Sequence, residues 1–461
     1  MEDKLISAVD KYYKKKIEQS PQKFQIGLEL EFPIVRFGGN IIDLEVIKKL
    51  SFFITEDLGF SKITLYSDKI PVKMENPLNG DIMSFEYCFS TLEFSLSPVL
   101  NLEEIVRRFW VYYEKIMSFL TKREHQLISQ GTNPYKWAKD VPILQTDYHK
   151  VVDIFHKRCR CKGIYNIDHW ASIISSAHTH VHLKVENFIE ALNILNKSEW
   201  IKGLLFSNSS FWDGEIDPFL NMCSRDYFWQ NNCFVSNQSD HPVVDLYFSD
   251  LREYYKFLLD KMQIFYVIRN NKYISLNSMN IRDYFKSDQV QGKIIDKDNS
   301  LKNITVKPQE SDLEFFRFYF YNVLTRHGTL EMRSDCLQPL NDIFSTTAFN
   351  IGIVKNCSKI KKLLEFITIK NSVLRIKATK YQLFEKDWQF LNMPIKEFLY
   401  TFYDLVKQGL VERGYGEEKY IECLCDRIDK LENPGKKLVN LLKTGMNLND
   451  IINMNNQRGH L

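Results

Sequence analysis

The chain contains no run of 18 or more apolar residues, so nothing in it reads as a membrane-spanning helix. Its opening residues, Met1-Glu2-Asp3-Lys4, lack the apolar core of a signal peptide. Cysteine is sparse: nine residues in 461, scattered and odd in number, suit a reducing cytoplasm better than a disulfide framework. Cys159 and Cys161 are a close pair, and without a second pair at zinc-site spacing they read as ordinary thiols. An excess of either charge is missing too. The 61 Lys and Arg residues against 58 acidic ones leave a formal charge of +3, with no concentrated basic face for nucleic acid. The runs Lys14-Lys15-Lys16 and Lys361-Lys362 are short and read as solvated helix faces. Internal repeats, low-complexity segments and both familiar glycine-rich phosphate loops are also absent.

What is present is a globular composition: 44% hydrophobic and 14% aromatic residues supply a sizeable core. Residues 24–35 alternate apolar with polar and predict a strand. Asn101 is a candidate cap for a helix whose Leu102, Ile105, Phe109, Tyr112, Tyr113, Ile116 and Phe119 recur at helical spacing. Strand is expected over 177–185 and helix over 187–196, with a helix-like stretch over 247–268. A polar surface loop is expected over 284–311. Strand is expected again over 329–335, then helix over 342–366. A helical pattern runs from about 380 to the end, with Pro394 and Pro434 as helix starts. The class is α+β: a body over 1–385 and a helical C-terminal portion over 386–461. The stripe Ile395, Phe398, Leu399, Phe402, Leu405 and Val406 reads as core packing in that portion.

Four strands each offer one apolar face and one face of metal- or phosphate-competent groups. Glu29 and Glu31 stand two apart, so both carboxylates leave the same side, with Leu28, Leu30 and Phe32 on the other. Glu93 shares a face with Ser95 and Ser97. His178, His180 and His182 align, as do Glu331, Arg333 and Asp335. Neighbouring carboxylates repel, and divalent cations are their usual remedy. A carboxylate-heavy set favours Mg²⁺ or Mn²⁺ over zinc, and those hard ions also bind nucleotide phosphates. Glu86 precedes Glu93 by seven residues, an odd spacing that needs a bulge or bend before both reach one site. Without a glycine cradle, a nucleotide site here would rest on metal ions and arginine side chains.

These residues resemble the glutamate–cysteine ligase superfamily, especially its bacterial carboxylate–amine ligase branch. Gly27-Leu-Glu-Leu-Glu31 is similar to that family's first metal-binding strand, and Leu92-Glu-Phe-Ser-Leu-Ser-Pro98 to its second acidic strand. His180-Val-His-Leu183 resembles its histidine strand and Leu330-Glu-Met-Arg-Ser-Asp335 its last catalytic strand. Gly131-Thr-Asn-Pro134 and Ser207-Asn-Ser-Ser-Phe-Trp-Asp-Gly214, followed by Ser224-Arg225, extend the match over roughly residues 24–385. The resemblance implies a glutamine synthetase-like fold, with a curved antiparallel sheet forming a funnel. It also implies that Glu31, Glu86 and Glu93 hold one metal ion, and that Glu29, His180 and Glu331 hold another nearer the phosphates of ATP. Arg333 would contact the transferred phosphoryl group, Arg225 a phosphate or substrate carboxylate, and His182 would support the ligands. In the stretch Leu374 to Tyr381, Lys377 and Lys380 stand at the family's arginine positions and Ile376 at an aromatic one. Lys377 there would face the nucleotide without a bidentate fork. Asn133 stands where a histidine is common.

The implied activity is ATP-dependent amide formation through an acyl phosphate, in the cytoplasm. The partners are a small-molecule carboxylate, glutamate favoured, and an amine or peptide; nucleic acid and membrane are not partners. The C-terminal portion could pack on the body, mediate oligomerisation or recognise a partner. Two other classes are a catalytically silent nucleotide or metabolite binder, and a zinc hydrolase built on the histidine strand. Retention of every metal-position acid argues against the first, and the carboxylate-rich set against the second.

Overall fold

The computed structural model describes residues 2–19, 23–66, 69–158, 170–230, 241–295, 301–317, 319–383 and 385–456; the Cys159–Cys161 pair lies outside them. Seven strands come first: β1 (Ile26–Arg36), β2 (Ser61–Tyr66), β3 (Ile70–Glu75), β4 (Ile82–Phe85), β5 (Thr91–Val99), β6 (His125–Leu127) and β7 (Ser176–His182). A short hairpin of β8 (Phe211–Trp212) and β9 (Glu215–Ile216) turns through Asp213 and Gly214, both at positive φ, as a tight two-residue turn requires. Then follow β10 (Gln263–Arg269), β11 (Lys272–Asn280), β12 (Val290–Ile295), β13 (Leu301–Val306), β14 (Asn322–Leu324) and β15 (Thr329–Cys336).

Among the described residues the main sheet is antiparallel, in the order β14-β15-β7-β1-β5-β4-β3-β2, with β6 on the far end of β1. Its apolar face is the one expected. Leu28, Leu30 and Phe32 are fully buried, and Phe32 packs on Phe94 of β5 and on Phe109 of the Leu102–Thr121 helix. That helix starts as its sequence dictates, with the Asn101 side chain accepting the Glu104 N–H at 3.0 Å. The Val185–Phe206 and Ser345–Lys355 helices back β15 and β7. The architecture is α+β, and one hydrophobic core runs from Ile6 to Ile428.

The C-terminal stripe is core. Ile395, Phe398, Leu399, Phe402 and Val406 of the Ile395–Val411 helix are buried against the Ser345–Lys355 helix. The two helices cross so closely that a Cβ on Gly409 would lie 2.5 Å from the Gly352 carbonyl oxygen, which leaves room only for glycine. Among the described residues no helix is long and apolar enough to cross a membrane.

Three expectations need correction. Residues 284–311 are not a surface loop: β12 and β13 form a hairpin that extends β10 and β11 into a four-stranded sheet. Its outer strand is mostly exposed, so its polar residues carry little alternation. The stretch 247–268 divides into a helix, Leu251–Lys261, and the strand β10. That strand is buried on both faces, Ile264 and Val267 in the main core and Phe265 and Tyr266 in a second cluster. It therefore reads as a continuous apolar run. The helix expected over 187–196 extends over Val185–Phe206.

Candidate functional site

The polar face of the sheet gathers the acids by strand register. Glu31 lies opposite Glu93, and Glu29 opposite both Ser95 on β5 and His178 on β7. His180 lies opposite Glu331 on β15. Directly opposed residues in an antiparallel pair share a face, so four strands deliver their groups to one place. Ligand atoms of Glu29, His180 and Glu331 lie within 4.8 Å of one another, and so do those of Glu31, Glu86 and Glu93.

Glu86 arrives by the second of the two routes expected, a bend. No bulge is needed, because the chain reverses between Glu86 and Glu93. Ser84 pairs with Glu93 and the Glu86 N–H donates to the Thr91 carbonyl, which sets Glu86 diagonally beside Glu93 on the same face. Asp335 departs the other way. Pairing shifts between Met332 and Asp335, so Asp335 sits opposite Ala177, on the helix side of the sheet. There it accepts from Asn350 Nδ2 at 2.7 Å and pairs with the buried Lys202 at 3.3 Å. A bulge moves every later side chain to the opposite face, and simple alternation cannot foresee one.

His178, which sequence reasoning aligned but gave no role, stands between the two acid groups. Its Nδ1 lies 2.9 Å from Glu29 and 3.5 Å from Glu331. Its Nε2 contacts Ser176 Oγ at 2.8 Å, and that hydroxyl donates to Glu31 at 2.7 Å. His182 was expected to support the ligands; it lies instead at the β7 end, opposite Thr329 and lining a cavity with Lys14, Lys23 and Lys184. Alternation put His178 on the right face, but only the pairing of β7 with β1 sets it beside Glu29.

Electrostatics follow from this crowding. Burial opposes charge on Glu29, yet His180 and His178 outweigh it and hold that carboxyl well below the usual range. Burial likewise opposes protonation of His180, but Glu29 and Glu331 raise it to about 9. Burial and the charge of Glu93 push Glu86 well above the ordinary value, and burial raises Glu93 too. Like charges are thus concentrated beyond what local histidines neutralise. His180 Nε2 is buried without a hydrogen bond, 3.4 Å from Glu29. Oxygen-rich, with one nitrogen and an acid set that resists full ionisation, both groups fit divalent cations.

Arg333 keeps to this face, its Nε 3.3 Å from Glu331 and its guanidinium carbon 5.3 Å from the Trp229 ring centre. The other two basic candidates are elsewhere. Arg225 is fully buried, and its guanidinium is turned to backbone carbonyls of β15. Lys377 donates to the Asp387 carbonyl at 2.7 Å and lies over Trp388, away from both acid groups. Arg375, two residues earlier on the same helix, is buried and faces inward, while Ile376 is exposed. The Gly131–Pro134 and Ser207–Ser210 segments form a platform behind the strand ends. Asn208 donates to the Ser129 and Leu337 carbonyls, and a Cβ on Gly131 would strike Cys336 at 2.6 Å. Asn133 is fully buried there, accepting the Tyr135 N–H.

No protein-family model matches this chain. It is similar to the chloroplastic glutamate–cysteine ligase of Medicago truncatula, at 23% identity over 246 residues, 51% of this chain and 44% of that protein. The chain thus spans about half the length of that relative. Similarity to the chloroplastic glutamate–cysteine ligase of Nicotiana tabacum is 23% over 437 residues, 92% of this chain and 77% of that protein. Among solved structures, the glutamate–cysteine ligase of Francisella tularensis in complex with AMP superposes with a TM-score of 0.54 at 11% identity. That match covers 94% of this chain and 87% of the other. A bifunctional glutathione synthetase from Pasteurella multocida gives 0.55 at 10% identity, covering 97% of this chain and 53% of the other. The fold is shared with these structures, and the sequence relatives support a glutamate–cysteine ligase-like superfamily.

Proposed function

We propose that this chain is an ATP-dependent carboxylate–amine ligase, joining a small carboxylic acid to an amine. The observation that carries the reading is the pair of three-residue groups on one sheet face, Glu29–His180–Glu331 and Glu31–Glu86–Glu93, with Arg333 beside them. The Francisella structure is a complex with AMP, which favours a nucleotide ligand here.

The two groups would each hold a divalent cation, and such ions supply charge neutralisation and alignment for a polyphosphate. The chain's own residues set up the rest. His178 orients Glu29 directly and Glu31 through Ser176, which keeps the two neighbouring carboxylates turned toward opposite groups. Arg333 holds a fixed positive charge at the edge of the acid cluster, where charge on a transferring phosphoryl group would need it. Binding both reactants against this rigid sheet aligns the substrate carboxylate with the γ-phosphorus. In the proposed sequence a carboxylate oxygen attacks that phosphorus and ADP leaves. The amine then attacks the acyl carbon, phosphate leaves, and the amine proton goes to solvent.

Glutamate as the acid and cysteine as the amine are the first pair to test, following the sequence relatives. The test is phosphate release from ATP by purified protein with glutamate and a panel of amines, with products identified by mass. Amide formation coupled to phosphate release supports the reading. Absence of coupled release with every acid and amine offered would overturn it.

A further inference from the structure

Strand β15 carries Glu331 and Arg333 and then departs from regular pairing. Glu331 and Met332 lie opposite His180 and Thr179, but the next registered pair is Asp335 with Ala177. Arg333 and Ser334 therefore share the span of a single residue, His178, on the neighbouring strand. Such a bulge strips backbone groups of their ladder partners, and buried backbone groups must find others.

Here the Arg333 N–H keeps a backbone partner, and the two carbonyls find side chains from two separate helices. The Arg333 N–H donates to the Tyr321 carbonyl at 2.8 Å. The Arg333 carbonyl accepts from Arg225 Nη2 at 2.8 Å, and the Ser334 carbonyl accepts from Arg225 Nη1 and Arg375 Nη2, each at 3.3 Å. Both arginines are almost completely enclosed, with 0% and 2% of their surface exposed. Arg375 is anchored by two bonds to Asp226, at 2.7 and 3.1 Å, and the Tyr321 hydroxyl donates to the same carboxylate at 2.7 Å. The guanidinium carbons of Arg225 and Arg333 lie 5.8 and 5.3 Å from the centre of the Trp229 ring, so one indole contacts both.

Two buried cations are a costly way to satisfy two carbonyls, which neutral amides could serve. What a planar guanidinium adds is direction: its fork fixes both carbonyls of the bulge at once. The first of those carbonyls belongs to Arg333 itself and the second to the next residue, so fixing them fixes the backbone that follows directly on the Arg333 side chain. We infer that Arg225 and Arg375 are positioning residues that lock the β15 bulge and thereby hold Arg333 toward the reacting phosphoryl group, without touching substrate. This rests on the ligase reading proposed above.

The experiment compares Arg225→Met in two backgrounds, the natural chain and Arg333→Lys, by initial rates of ATP-dependent phosphate release. In the natural background kcat is expected to fall at least tenfold while KM for ATP moves less than threefold. In the Arg333→Lys background the same change is expected to cost less than twofold, because its target is already impaired. Circular dichroism melts accompany each protein. If Arg225→Met does not fold, Arg225→Lys, which keeps the buried charge but not the fork, carries the same comparison alongside Trp229→Phe. An unchanged kcat, or equal losses in both backgrounds, would overturn the assignment. A natural chain without any ATP turnover would overturn the ligase reading itself, and this assignment with it.

Discussion

Replacing Glu31 with glutamine should stabilise the metal-free protein while disabling it. The ligand oxygens of Glu31, Glu86 and Glu93 lie within 4.8 Å of one another. Two unit charges at that separation repel by about 3.5 kcal/mol at an effective dielectric constant of 20. Burial and the charge of Glu93 push Glu86 upward, and burial raises Glu93 as well, so the group as a whole resists carrying three charges. Glutamine keeps an oxygen to accept the Ser176 hydroxyl, which Glu31 now receives at 2.7 Å. Removing the charge should therefore recover about 1–3 kcal/mol after local relaxation, roughly a few degrees in melting temperature. The assay is thermal unfolding in EDTA and in millimolar Mg²⁺. The natural chain should gain more from Mg²⁺ than the variant, and the variant should start at or above it in EDTA. A variant that is less stable in EDTA and equally stabilised by Mg²⁺ would refute the reasoning.

Glu29→Gln and Glu331→Gln should each cut metal-dependent turnover at least about 100-fold with unchanged far-ultraviolet circular dichroism; full activity in either would remove that residue from the metal set. Gly409→Ala would place a Cβ 2.5 Å from the Gly352 carbonyl oxygen and should cost about 1–3 kcal/mol, read as a lower denaturant midpoint. Burial pushes the half-buried His241 down to about 4, and its Nδ1 accepts the Val243 N–H at 3.0 Å. The unfolded chain takes up this proton near its ordinary value and the native protein resists, so the contribution is lost as pH falls from about 6.5 to 4. Its ceiling is about 3 kcal/mol, less with partial exposure. His241→Asn should accordingly show a smaller drop in melting temperature between pH 7 and pH 5 than the natural chain does.

The acid cluster was legible because its strands are two-sided. Leu28, Leu30 and Phe32 bury one face, so the positions of Glu29 and Glu31 follow from a period of two, and the same holds for Glu93, His180 and Glu331. Legibility ended where the backbone changed parity or direction. The turn after β4 brought Glu86 in without a bulge, and the bulge in β15 turned Asp335 away. Registers between distant strands are set by tertiary pairing, which explains why His178, and not His182, stands among the acids. Arg225 and Lys377 were assigned by the position of a motif. Burial behind β15 and a bond to the Asp387 carbonyl are facts of packing that a single sequence does not carry. The β12–β13 hairpin escaped notice because its outer strand is largely exposed and lacks an apolar face to alternate.

The central claim is that a substrate carboxylate oxygen attacks phosphorus. The direct measurement uses glutamate labelled with ¹⁸O in its carboxyl groups, unlabelled ATP, Mg²⁺ and the amine accepted by the purified chain. The phosphate released is then analysed by mass. One labelled oxygen per phosphate is the expected result, because the acyl–oxygen bond breaks when the amine attacks. Phosphate carrying no label, with amide nevertheless formed, would contradict the account.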